Sequence, residues 1–229
     1  MMLYLSSNSR PDIAFAVSQC ARFTHCTKLS HELAVKRIAR YLLGTKDRGL
    51  VIDPNTELNL ELYADADFAG LWNVEDHDDP TSVKSRTGYV ITLGGIPITW
   101  GSKLQTEIAT STMHAEYVAL STSLREVIPI KDLLYEISQL YQLKRDDHLT
   151  ITRVHEDNEG ALKLANLEFP RTTPHSKHYG IKYHWFREKS NELKVDIRHI
   201  DTKDQQADIF TKGLPTSEFI PKRKLLNGW

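Results

Sequence analysis

The sequence predicts an α/β protein built on a mixed sheet, and three observations carry that prediction. Leu58, Leu60, Leu62 and Ala64 alternate with Asn59, Glu61, Tyr63 and Asp65, the period of a strand. Two β-rich runs, Thr87 to Leu93 and Ile96 to Trp100, are joined by Gly94-Gly95, which signals a hairpin. Later strands alternate with helical segments, so an antiparallel start passes into strands returned by helical crossovers.

Before this region, Met1 to about Ile52 reads as helical. Ser9, Arg10 and Pro11 supply a cap and a proline at an early helical position. Ile13, Ala14, Phe15, Val17 and Ala21 continue apolar. A second helix starts after Ser30 and stops at Gly44. At about 100° per residue, Ala34, Val35, Ile38, Tyr41 and Leu42 share one face. Lys36, Arg37 and Arg40 share the opposite face, which either is simply solvated or tracks phosphates. The chain therefore divides into a small helical segment, residues 1–52, and an α/β domain, residues 53–229.

Within that domain, the acid-rich stretch Val74 to Pro80 reads as a loop with solvated charges. Gln105 to Thr110 can form a third strand. A long helix runs from about Ser111 to Gln142, and Pro129 is expected to kink or split it. Leu149 to His155 reads as a strand and Asn158 to Ala165 as a short helix. Thr173-Pro174 opens a helix through about Lys189, Val195 to Ile200 is a last strand, and Asp204 to Thr211 a last short helix.

Composition narrows the function classes. A chain of 229 residues, 40% of them hydrophobic, can bury a real core. Its net charge of −1 excludes a uniformly basic nucleic-acid coat, so any phosphate contact must come from local patches. Cys20 and Cys26 stand without a CxxC or a zinc-ligand cluster and read as reduced, structural thiols. No apolar run approaches the ~20 residues that span a bilayer, and the amino terminus lacks a secretory pattern. The chain is expected inside the cell, with no membrane partner.

Four acids stand at element ends. Asp65 ends the first strand, Glu116 lies in the first turns of the long helix, Asp157 ends the fourth strand, and Asp208 sits in the final short helix. Carboxylates of this kind suit Mg²⁺, which prefers hard oxygen ligands. Two such ions ~3.5–4 Å apart can activate a water and neutralise the leaving oxygen of a phosphodiester. In an open α/β sheet, ligands gather outside the carboxyl ends of the strands. With 30 acidic residues in the chain, spacing alone leaves open whether these four form one site.

Several motifs settle on one resemblance. Tyr63-Ala-Asp-Ala-Asp-Phe-Ala-Gly70, Ser85-Arg-Thr-Gly-Tyr-Val90, Ile98-Thr-Trp-Gly-Ser-Lys103 and Ser111-Thr-Met-His-Ala-Glu-Tyr117 resemble the RNase H domain of copia-type retrotransposon Pol polyproteins. So do Asp157-Asn158, Lys177-His178, Tyr183-His-Trp-Phe-Arg-Glu188 and Ala207-Asp-Ile-Phe-Thr-Lys212. The first segment resembles the end of the adjoining reverse transcriptase, through Arg10-Pro-Asp-Ile-Ala-Phe-Ala-Val17 and Arg40-Tyr-Leu-Leu-Gly-Thr45. The resemblance covers nearly the whole chain.

It implies an RNase H-like fold, a mixed five-stranded sheet flanked by helices. It implies metal-dependent hydrolysis of the RNA strand of an RNA–DNA hybrid with two Mg²⁺, for which Mn²⁺ can substitute. Asp65 would bridge both ions, Asp208 would help hold the ion that activates water, and Glu116 and Asp157 the ion at the leaving 3′ oxygen. The implied partners are the hybrid and the reverse transcriptase polymerase domain, in a cytoplasmic particle or the nucleus. Asp67 rivals Asp65, because the two share one strand face; the resemblance favours Asp65 and leaves Asp67 to cap a loop.

Some positions depart from the family pattern. Phe68 stands in place of a usual Trp, and Val74 to Val83 is longer and more acidic than usual. No histidine lies between Ile200 and Asp208, where cellular relatives carry one, and His199 is the nearest candidate. The chain carries no Tyr-x-Asp-Asp polymerase motif. The order Asp, Glu, Asp, Asp is not the Asp, Asp, Glu of an integrase, nor does Asp65-Ala-Asp67 match the Asp-x-Glu start of a proofreading exonuclease. The alternative is an inactive RNase H-like binding module. Arg171 to Lys189 interleaves Arg171, Lys177, Lys182, Arg187 and Lys189 with histidines, Tyr179, Tyr183 and Trp185, which suits either a backbone-binding surface or a helix with Ile181 and Trp185 in the core.

Overall fold

A computed structural model describes residues 1–53, 57–70, 72, 79–142, 151–166 and 177–229. Its strands are β1 (Leu60–Asp67), β2 (Arg86–Leu93), β3 (Ile96–Leu104), β4 (Thr152–Glu156) and β5 (Val195–His199). They form one sheet in the order β3-β2-β1-β4-β5. β1 pairs antiparallel with β2, and β2 with β3. β1 pairs parallel with β4, and β4 with β5. This is the mixed sheet that the element order predicts.

The described helices are α1 (Met2–Asn8), α2 (Ala14–Ala21), α3 (Leu29–Gly44), α4 (Thr112–Leu140), α5 (Glu159–Asn166), α6 (Lys177–Glu192), α7 (Asp208–Thr211) and α8 (Thr216–Asn227). Because successive side chains of a strand point to opposite faces, the sheet carries two cores. Leu60, Leu62 and Ala64 of β1 join Tyr89, Ile91 and Val154 against Tyr117, Leu120 and Leu124 of α4 and Phe186 of α6. On the other face, Tyr63 and Val90 pack with Ala14, Ile209, Phe210 and Leu226. A fully buried leucine contributes ~1.5–3 kcal/mol, so α4 and its strands form the stable frame on which the site is built.

The second core draws in the helical segment. Ser18 Oγ donates to the Ser102 carbonyl at 2.9 Å, and Arg86 Nη1 donates to Ser18 Oγ at 2.9 Å. Trp100 Nε1 donates to the Ser6 carbonyl at 2.6 Å. Near the chain's other end, the Val51 N–H donates to the Asn227 carbonyl and Trp229 Nε1 to the Gly49 carbonyl. On α3, Ile38 is buried, whereas Lys36, Arg37 and Arg40 are exposed and Lys36 pairs with Glu32.

Several sequence expectations need correction. Gln105 to Thr110 forms no strand; β3 itself runs on to Leu104, and Gln105 turns inward to donate to Thr87 Oγ1 and the Ala115 carbonyl. Pro129 does not split α4, which is continuous over 29 residues. Its missing N–H frees the Arg125 carbonyl on the face of the helix turned to water, while Val127, Ile128 and Ile130 keep the other face in the core. Pro11 opens a short 3₁₀ turn without a side-chain cap, because Arg10 is buried in an ion pair with Asp12. Asp204 to Thr211 is not one helix but a 3₁₀ turn, Thr202–Asp204, followed by α7. Helix α1 lies within the segment read as helical, whereas α8 is not among the elements the sequence pattern predicts. Within the acid-rich loop, residues 73–78 lie outside the described residues, as do 149–150 and Thr173-Pro174.

Candidate active site

Two parallel neighbours, β1 and β4, set the position of the site. Asp65 lies near the carboxyl end of β1, and Asp157 follows the last residue of β4 directly. Beyond Asp157, Asn158 Oδ1 accepts from the Ala161 N–H at 2.9 Å and so starts α5. Ser111 caps α4 by accepting from the His114 N–H at 3.1 Å, and one turn later the helix presents Glu116. Oxygens of Asp65, Glu116 and Asp157 all lie within 4.8 Å of one another. Three of the four expected acids therefore converge.

Asp208, the fourth, reaches the cluster through a close approach of α7 to the sheet. Gly88 stands opposite Asp65 in the β1–β2 ladder, and a β-carbon there would fall 2.5 Å from Thr211 Cγ2 and 3.0 Å from the Ala207 carbonyl. The bare glycine lets α7 lie on the strand. Thr211 then donates its hydroxyl to Asp65 Oδ2. Asp208 is 1% exposed, with Lys222 Nζ 2.8 Å from Oδ2 and Lys212 Nζ 2.5 Å from Oδ1. It lies outside the set of three converged oxygens and acts on Asp65 through its charge.

The electrostatics are those of crowded, buried carboxylates. Burial, then Asp208, pushes the Asp65 carboxyl up to about 7, while Lys212 and the Thr211 hydroxyl pull the other way. Burial, then Asp65, raises Glu116 well above the usual range, against a hydrogen bond from the Ala66 backbone. Glu116 Oε2 is buried without a hydrogen-bond partner. Hard oxygens, one of them orphaned, around a site crowded with negative charge fit a divalent cation.

Asp67 stands apart. Its carboxylate lies over Gly70, where a β-carbon would fall 2.0 Å from Oδ2. That is the position of an acid closing the turn after β1. Asp157 Oδ2 accepts from Thr202 Oγ1 at 2.9 Å. His199 is exposed at the end of β5.

Sequence reasoning missed Glu156, a fully buried carboxylate whose Oε1 accepts from the Asn158 N–H and whose Oε2 has no partner. Thr152, Val154 and Glu156 share the buried face of β4, so the period-two pattern would have flagged a charge among core positions. It also missed Lys222, for which no local signal exists.

The expected basic and aromatic surface is described only in part. Residues 171–176, and the side chains at 177–181 and 183, lie outside the described residues. Lys182 pairs with Glu107, and Trp185 packs against the α4 core with the Arg125 guanidinium 4.7 Å above its ring. Trp185 therefore follows the core reading. No described helix is long and apolar enough to cross a membrane.

An α/β fold on a mixed five-stranded sheet, with carboxylates gathered at the ends of two parallel strands, is the class these observations define. The chain belongs to the retrovirus-related Pol polyproteins of copia-type transposons. It is 36% identical over 217 residues, 92% of this chain, to the retrovirus-related Pol polyprotein from transposon RE1 of Arabidopsis thaliana. It is 34% identical over 220 residues, 95% of this chain, to that from transposon TNT 1-94 of Nicotiana tabacum. The chain spans 13% and 15% of the length of these relatives. No family model matches it. Among solved structures it is similar to LC11-RNase H1, isolated from compost by a metagenomic approach, with a TM-score of 0.47 and 19% identity, covering 67% of this chain and 92% of that one.

Proposed function

We propose that this chain hydrolyses the RNA strand of RNA–DNA hybrids, as the ribonuclease H part of a retrotransposon Pol polyprotein. The observation that carries the reading is the convergence of Asp65, Glu116 and Asp157 within 4.8 Å at the ends of two parallel strands. Membership in the Pol family supplies the context of reverse transcription. Two divalent ions, Mg²⁺ or Mn²⁺, would supply Lewis-acid stabilisation and an activated water. Asp65 would help hold both ions, Glu116 and Asp157 the ion that stabilises the leaving oxygen, and Asp208 the ion that activates water.

The remaining residues shape this centre. Thr211 orients Asp65, Thr202 orients Asp157, and Lys222 fixes Asp208. Held this way, the carboxylates need little reorganisation when cations arrive. Hybrid recognition would read duplex shape and 2′-hydroxyls, with little sequence preference. The polymerase domain of the same polyprotein is the proposed neighbour.

The deciding experiment is cleavage of an end-labelled RNA–DNA hybrid with Mg²⁺ or with EDTA, using the parent chain and Asp65→Asn. Cleavage by the parent only with metal, and none by the variant, is the expected result. Hybrid binding without cleavage by the parent in either metal would favour a binding module instead.

A further inference from the structure

Both carboxylate oxygens of Asp208 face ammonium groups, and the two lysines are not equivalent. Lys222 comes from α8 and is 4% exposed. Its Nζ donates to the carbonyls of Thr202, Lys203 and Gln205 at 2.8, 3.2 and 2.9 Å, besides pairing with Asp208 Oδ2. It is committed to four oxygens, and moving it would strand the Gln205 carbonyl and Asp208 Oδ2 in the interior. Lys212 instead follows α7 by one residue and reaches back one turn to Oδ1, with 41% of its side chain exposed. Water can solvate that ammonium once it swings away.

Lys212 also belongs electrostatically to the whole cluster. Burial works against its charge, but Asp65, Asp208 and Asp157 outweigh it and hold its proton on. Four carboxylates and two divalent ions balance in charge, and the buried Lys222 already adds one positive charge beside Asp208. An ammonium pinned to Asp208 leaves the assembly with surplus positive charge at the oxygen a second ion needs, and like charges a few ångströms apart repel strongly.

Resting on the reading of these acids as metal ligands, we propose that Lys212 is a built-in counter-ion of the acid cluster. It holds Asp208 Oδ1 in the place of a divalent ion and gives that oxygen up when the second ion binds. Lys212 thereby sets the metal concentration at which the centre fills.

The test is calorimetric titration of Mn²⁺ into the full chain and into Lys212→Met and Lys212→Arg, with unfolding curves as a check on folding. Methionine keeps the length and removes the charge, whereas arginine keeps the charge. Lys212→Met is expected to bind the second Mn²⁺ roughly tenfold more tightly, since the repelling charge is gone. Lys212→Arg is expected to stay within about twofold of the parent, a difference that loss of packing would not produce. Equal isotherms for Lys212→Met and the parent, with hybrid cleavage intact, would overturn the counter-ion role and leave the nuclease reading standing. Absence of Mn²⁺ binding by any of the three, together with absence of cleavage, would overturn both.

Discussion

Gly88 faces Asp65 across the antiparallel ladder, and the space its missing side chain leaves is filled by Phe210 and Thr211 of α7. The strand paired with the one that presents Asp65 thus admits the helix that carries Asp208. Gly88→Ala is expected to push α7 away from β1, destabilising the chain by ~1–3 kcal/mol as overpacking does. It should also break the Thr211 contact to Asp65. Chemical unfolding and Mn²⁺ titration of the variant check both effects, and unchanged values in both would refute the account.

The metal-free chain is expected to lose stability as pH rises. Asp65 moves from an ordinary 3.8 to about 7 on folding. Glu116 and Glu156 move the same way, each mainly through burial. Between those values the folded state keeps protons that the unfolded chain has released, so the slope of stability with pH is negative. At about 1.4 kcal/mol per unit, Asp65 alone represents a few kcal/mol between pH 4 and pH 7. Unfolding in EDTA at pH 5 and pH 8 should show this loss, Asp65→Asn should reduce it, and Mg²⁺ at pH 8 should restore stability. An EDTA slope unaltered by Asp65→Asn would contradict the assignment.

Asp67 is expected to be dispensable for chemistry. Its carboxylate lies on Gly70, away from the three converged oxygens. Asp67→Asn should retain cleavage within about tenfold, whereas Asp65→Asn should abolish it, because an amide cannot neutralise cations. The reverse pattern in the cleavage assay would exchange the two roles without touching the proposed reaction.

The helical segment is expected to be required for a stable α/β fold. Ala14 lies in the core with Val90 and Phe210, and Ser6 and Ser18 accept from Trp100 and Arg86. A chain of residues 53–229 would leave Arg86 and Trp100 without those partners and uncover the part of one sheet face that Ala14 covers. It should melt well below the full chain, by ~2–4 °C for each kcal/mol lost from a domain of this size. Equal melting temperatures would make residues 1–52 an independent unit.

How much of this was legible in the sequence follows from the range of the interactions involved. Asp65 and Asp157 stand at strand ends and Glu116 follows a capping serine, so local pattern placed them before any fold was known. The Gly94-Gly95 hairpin was equally local, with both glycines in the left-handed region at φ 61° and 77°. Helix α8 was hidden because Pro221 interrupts it and little of it is buried beyond Lys222, Leu226 and Asn227. Lys222 earns its place from carbonyls about twenty residues away in a turn that no local pattern predicts. Gly88 looked like an ordinary strand glycine, since its reason lies in α7. Pro129 leaves α4 unbroken because it and Arg125 lie on the helix face turned to water, a side that the local sequence does not reveal.

The sheet order has a kinetic consequence. β2 meets β3 through a two-residue turn and β1 meets β2 across residues 68–85, but β1 meets β4 only after a much longer stretch of chain has been closed. Loop closure of that length is slow and is settled after the hairpins. Asp65 is therefore in place early, and Asp157 arrives with the last strands. Contacts completed after the folding barrier slow unfolding and leave the folding rate almost unchanged. A cation held between these two strand ends acts as a latch: it prolongs the life of the assembled sheet without hastening its assembly.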